Sequence, residues 1–151
     1  MANFPNALNQ ISLFVLLDLL GSPAPRVSSY FPTTHWAYRN MASIEQRMRR
    51  LGLLESAEGA HPFLPDSART VAQFGAQRST GIGDDHVPFL ARGAPVLHVI
   101  DAPFPAVWHT LQDDGDHLDL PTVRDWARIM AAFALEWLDM MEVEPPQAKD
   151  V

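Results

Sequence analysis

The first clear pattern along the chain is Leu13-Phe14-Val15-Leu16-Leu17, a continuous apolar run that ends at Asp18 and is followed by Gly21-Ser22-Pro23. Five apolar residues without alternation predict a strand covered on both faces, as in a parallel sheet. Residues 21–32 carry three prolines and no period, so they read as an irregular loop. A helix follows, because Ala37, Met41, Ile44, Met48 and Leu51 recur at 4-3-4-3 spacing. Thr33 or Thr34 is positioned to cap its start, and Gly52 to end it in the left-handed conformation. The Met and Leu stripe reads as core, and Arg47, Arg49 and Arg50 as a solvated face near the helix end.

Residues 55–83 are rich in Gly, Ser, Ala and Pro, with only short apolar pieces. A loop of that length in a compact domain predicts a segment bordering a functional site, with His61 on the surface. Asp84 or Asp85 then opens a short helix from His86 to Arg92, which Gly93 ends. Pro95 leads into Val96-Leu97-His98-Val99-Ile100, a second buried strand interrupted by a histidine that reads as a hydrogen-bonded core residue. Asp119 precedes the last helix, whose expected buried stripe is Val123, Trp126, Ala127, Met130, Ala134, Trp137, Leu138 and Met141. Residues 142–151 read as a flexible tail, leaving one domain over residues 1–141. Two apolar strands, each followed by helical pattern, predict an α/β architecture.

Composition narrows the function classes. The chain has 151 residues, 47% of them hydrophobic, which suits a single globular domain. Its formal charge of -7, with 11 scattered basic residues, argues against nucleic acid and anionic membrane surfaces as partners. With no cysteine, thiolate zinc sites and disulfides are excluded, and the redox compartment cannot be read. Residues 11–20 look superficially like the apolar core of a signal peptide. No Lys or Arg precedes them, however, and Asp18 lies inside, so a buried strand is the better reading. The stretch is also about half the ~20 residues a membrane span needs.

Candidate chemistry concentrates in residues 84–114, where carboxylates and histidines surround the second strand. Ligands gather at the carboxyl ends of strands in open α/β sheets, and Asp18 ends the first strand. His109 follows the second on a stiff loop containing Pro103, Phe104, Pro105 and Trp108, where an imidazole is well placed to ligate zinc. Asp84, at the start of the short helix, can reach the same edge of the sheet. Three such groups do not by themselves specify a metal site, since acidic loop residues also serve as caps. Phe104 and Trp108 can wall a small apolar slot or simply pack.

The residues resemble a known family. Asp84-Asp85-His86-Val87-Pro88-Phe89-Leu90, Arg92-Gly93-Ala94-Pro95-Val96-Leu97-His98, and Pro103-Phe104-Pro105 with Trp108-His109-Thr110 are similar to the carboxyl-terminal half of glutaminyl-peptide cyclotransferases. Leu16-Leu17-Asp18-Leu19-Leu20-Gly21-Ser22-Pro23, Tyr30-Phe31-Pro32 and Leu51-Gly52-Leu53-Leu54 extend the similarity, in consistent order, from about residue 11 to residue 140. The resemblance implies the fold of the zinc aminopeptidases of peptidase family M28, with a mostly parallel central sheet flanked by helices. It implies an acyltransferase that converts an N-terminal glutamine of a peptide to pyroglutamate and releases ammonia. His109 would be a ligand of one catalytic zinc ion, Asp18 and Asp84 members of an acidic network beside a catalytic glutamate, and Phe104 and Trp108 the lining of the glutaminyl pocket. The resemblance also favours a secretory location.

Family members carry, ahead of the strand ending in Asp18, a segment with an aspartate ligand, a glutamate ligand and the catalytic glutamate. Here residues 1–10 contain no carboxylate, which predicts a partial fold lacking its amino-terminal half and negligible activity for the chain alone. Two alternatives remain beside the cyclase: a zinc exopeptidase of the same superfamily, and a non-catalytic module that binds a partner through an exposed sheet. Trp108 before His109, and Phe104 between two prolines, favour the cyclase.

Overall fold

The computed structural model describes residues 7–56, 61–68, 70 and 82–142. Two strands, β1 (Phe14–Asp18) and β2 (Val96–Ile100), form a parallel pair in the register Phe14↔Val96 to Asp18↔Ile100. Three α-helices accompany them: α1 (His35–Arg50), the short α2 (Val87–Leu90) and α3 (Leu120–Trp137). The α/β pattern read from the apolar runs is therefore the observed architecture, and both strand ranges fall where those runs lie.

The two strands differ in burial. Every residue of β2 is buried, whereas β1 is only half-buried and Leu17 is 45% exposed. An apolar run does predict a strand, but it does not say how many neighbours cover it, and among the described residues β1 pairs with β2 alone. The core lies where α1 and α3 meet β2, with Tyr38, Met41, Ile44, Phe63, Val99 and Ile129 essentially inaccessible. Trp36 of α1 stacks on Trp137 of α3, and Arg47 pairs with Glu136 nearby.

Helix α1 ends as its sequence indicates, with Gly52 at φ +66°, a conformation that glycine adopts without cost. Its start does not follow expectation. Thr34 is at the cap position, yet its hydroxyl donates to the Val96 carbonyl of β2, so it ties the helix to the sheet instead of capping it. Leu51, expected in the buried stripe, is 64% exposed because it already lies past the last turn. Arg49 is not a solvated residue either. Its Nε donates to buried Glu45 at 2.8 Å and its guanidinium lies 4.7 Å from the Phe63 ring centre.

Glu45 explains how part of the long loop is held. Its carboxylate accepts from the backbone N–H groups of Phe63 (2.7 Å) and Leu64 (3.0 Å), which lets two loop residues enter the core with their amides satisfied. Asp125 of α3 acts similarly on Glu55 (2.7 Å) and Ser56 (2.8 Å). The described part of the loop thus packs on α1 and α3, while residues 71–81 and the tail 143–151 lie outside the described residues. His61 is exposed, as expected.

Helix α3 starts as predicted, with the Asp119 carboxylate accepting from Thr122 N–H at 3.1 Å. Its buried face is displaced from the expected stripe. Thr122, Asp125, Trp126, Ile129 and Phe133 are buried, whereas Ala127, Ala134, Leu138 and Met141 are exposed. Trp126 is buried as expected, and Met130 and Trp137 pack partly buried on the core. The helix is apolar over more than one face, however, so period alone does not fix the centre of the stripe.

Candidate functional site at the strand ends

The carboxyl ends of both strands carry the polar chemistry. β1 finishes at Asp18. β2 runs through buried Asp101, whose Oδ1 accepts from Arg26 N–H at 2.8 Å, and a cis Ala102–Pro103 peptide into the loop bearing Phe104, Trp108 and His109. Between the two chain segments lies an open cavity of about 420 Å³. Asp18, Leu19, Gly21 and Ser22 line it from one side, and Val107, Trp108, His109, Asp113, Asp114 and His117 from the other.

The backbone is unusual on both sides of this cavity. Leu19 has φ +54° and His109 has φ +58°, a region that non-glycine residues rarely enter. Such conformations cost of order 1–3 kcal/mol and persist where the surroundings over-determine them, commonly at functional sites. The His109 ring stacks on Trp108 with centroids 3.8 Å apart, and Phe104 meets Trp108 edge-on at 4.8 Å. His117 pairs with Asp114 at 2.7 Å, holding that carboxyl below the usual carboxylate range. Of the residues singled out from sequence, Asp18, Trp108 and His109 line one cavity. Phe104 contacts Trp108 but is not part of the lining.

Asp84 occupies a different position. Its side chain does not cap α2: Oδ2 accepts from His98 Nε2 at 2.9 Å, and Oδ1 from the N–H of Asp85 at 2.7 Å. His98 is thus a hydrogen-bonded core histidine, 3% exposed. The register pairs Leu16 with His98, and the two-residue period then puts Asp18 on the same face of the sheet. Proximity shows in the electrostatics. Partial burial, and then the negative charge of Asp84, push the Asp18 carboxyl above its ordinary value. Burial, and then the neighbouring His86, push the His98 imidazole below its own.

Sequence places His86 at the start of a helix and within the Asp84–Leu90 motif, without a site role. It lies 3% exposed against His98, ring centroids 4.4 Å apart. The spacing Asp84-x-His86, twelve residues before His98, was the available signal. Asp113, Asp114 and His117 also line the cavity, and local sequence pattern assigns them no such place.

The fit of zinc to His109 can be tested on these side chains. Among the described residues, the group of three His, Asp or Glu side chains with ligand atoms within 4.8 Å of one another is Asp84, His86 and His98, and His109 is not in it. Zinc sites take at least three protein ligands. The described residues around His109 therefore do not compose a zinc site by themselves.

Comparison with known proteins gives a consistent result. The family model described as Peptidase family M28 matches residues 1–134. The mouse glutaminyl-peptide cyclotransferase-like protein is 45% identical over 137 residues, covering 90% of this chain and 33% of the relative. The glutaminyl-peptide cyclotransferase of Drosophila melanogaster is 44% identical over 131 residues, covering 87% and 37%. Among solved structures, Macrostomum lignano glutaminyl cyclase superposes with a TM-score of 0.78 at 29% identity, covering 93% of this chain and 44% of that one. The chain thus spans about a third of the length of the curated relatives it matches.

Proposed function

The chain belongs to peptidase family M28, and on that premise we propose that it is a glutaminyl-peptide cyclotransferase-like acyltransferase sequence acting on peptides with an N-terminal glutamine. The observation that carries this reading is the shared cavity of Asp18, Trp108 and His109, beside relatives of that name at 38–45% identity. In the reaction the α-amine attacks the glutamine side-chain amide carbonyl. The new C–N bond closes pyroglutamate, the old one breaks, and the α-amine proton leaves with ammonia.

The chain's own contributions follow from its residues. Trp108, braced by Phe104, offers an apolar wall for the glutaminyl methylenes. Asp18, with its carboxyl shifted upward, is suited to hold or pass a proton at the strand end, and Asp84 supplies the negative charge beside it. His109 is proposed as one zinc ligand. Because the described residues do not complete that coordination, no step is assigned to the metal and the chain alone is expected to be inactive. The same reading favours a secretory location; no helix among the described residues is long and apolar enough to cross a membrane.

The test is to graft this chain in place of the matching third of the Drosophila relative and supply a Gln-initiated peptide. Formation of pyroglutamate with one equivalent of ammonia supports the cyclase. Release of free glutamine without pyroglutamate would identify an exopeptidase instead, the other activity that the family description suggests.

A further inference from the structure

We propose that this chain binds one divalent transition-metal ion, with zinc as the best match, at the buried cluster of Asp84, His86 and His98, at a place separate from His109. Three elements bring the cluster together. Asp84 lies on the loop before α2, His86 at the residue preceding its first turn, and His98 at the centre of β2. One ligand atom from each lies within 4.8 Å of the other two, and His98 Nε2 lies 2.9 Å from Asp84 Oδ2. Tetrahedral zinc with ligands at about 2.0–2.1 Å holds neighbouring ligand atoms roughly 3.3 Å apart, and the Asp84–His98 pair already stands near that spacing.

A second observation is independent of that spacing. His86 is 3% exposed, and its Nδ1 is buried with no hydrogen-bond partner. A buried imidazole nitrogen left unpaired is costly, and a metal bond made by Nδ1 itself would satisfy it. The cluster also has the composition of a binding site. Two imidazoles with one carboxylate match catalytic zinc sites that keep an open position, whereas calcium and magnesium prefer all-oxygen shells. Asp84 is the most accessible of the three, its side chain 20% exposed, which supplies an entry path. An ion held there would engage Asp84, the carboxylate whose charge acts on Asp18.

This inference does not depend on the cyclase reading, and its test uses no activity. The full chain, prepared without a histidine tag, is titrated with Zn²⁺ alone against a chromophoric chelator, and with Co²⁺ followed by its d–d absorption. One ion per chain is expected, with affinity reduced at least about tenfold by Asp84→Asn and by His86→Gln, and unchanged by His109→Ala. X-ray absorption on the zinc-loaded, unsubstituted chain needs no variant and should show two imidazoles at about 2.0–2.1 Å. No stoichiometric binding, binding indifferent to both Asp84→Asn and His86→Gln, loss in His109→Ala, or a shell with fewer than two imidazoles would overturn the proposal.

Discussion

The ring of His109 lies on the indole of Trp108, centroids 3.8 Å and planes 21° apart, with the histidine backbone at φ +58°. Stacking therefore helps hold a side chain whose backbone alone disfavours its position. In the grafted enzyme described above, Trp108→Ala is expected to lower kcat/KM by about 10- to 100-fold, because misplacing a reacting group by about 1 Å has that scale of effect. Trp108 is 38% exposed, so the thermal midpoint of the isolated chain should hardly move. Steady-state kinetics beside a thermal melt would check this, and a large melt shift with unchanged kinetics would contradict it.

The burial of His98 beside His86 leads to a pH dependence whose sign is fixed. Burial and His86 lower the His98 value, so the unfolded histidine takes up a proton before the folded one. Its contribution to stability is complete above about pH 6.5 and is lost as pH falls from there through the folded value, with a slope of at most about 1.4 kcal/mol per pH unit. Asp18 acts oppositely and lower. Its raised value makes its contribution complete below about pH 3.9, and this is lost as pH rises through the folded value. Denaturant unfolding between pH 5 and pH 8 (roughly bracketing the histidine window) should show stability increasing with pH, and His98→Gln should flatten that slope.

Glu45 is 1% exposed and holds two loop amides and Arg49 at once. Glu45→Gln turns one acceptor into a donor facing a backbone N–H, and removes the charge beside Arg49. A loss of about 2–3 kcal/mol is expected, read as a lower midpoint in urea. A change below about 0.5 kcal/mol, the usual limit for a surface substitution, would mean that the clamp contributes little.

The face chosen by α3 can be measured directly. Ile129 is fully buried and Leu138 is 62% exposed. Ile129→Ala should cost about 2–5 kcal/mol and Leu138→Ala less than about 0.5 kcal/mol. The reverse order would restore the stripe inferred from periodicity.

Much of the architecture was legible without coordinates. Leu13-Phe14-Val15-Leu16-Leu17 and Val96-Leu97-His98-Val99-Ile100 become strands β1 and β2, Gly52 and Gly93 take the left-handed conformation that ends their helices, and Asp119 caps α3. These features are legible because their causes are local: an apolar run, a missing Cβ, a carboxylate three residues from an N–H. The family was legible as well, because its motifs recur as unbroken strings.

The partners were not. Thr34 and Asp84 stand at helix starts, and sequence assigns them the local role of caps, but each instead serves β2, across 62 and 14 residues respectively. Helix α3 carries apolar residues around too much of its circumference for period to select a face, so packing against α1 decides it. By itself, the sequence determined the two strands, the helix ends and the family likeness. Only the tertiary structure decided that Asp18, Trp108 and His109 share one cavity and that Asp84, His86 and His98 form a second, buried cluster. The physical reason is that chain-local preferences set each element, whereas side-chain partnership depends on the register of β1 on β2 and on the path of the loops joining them.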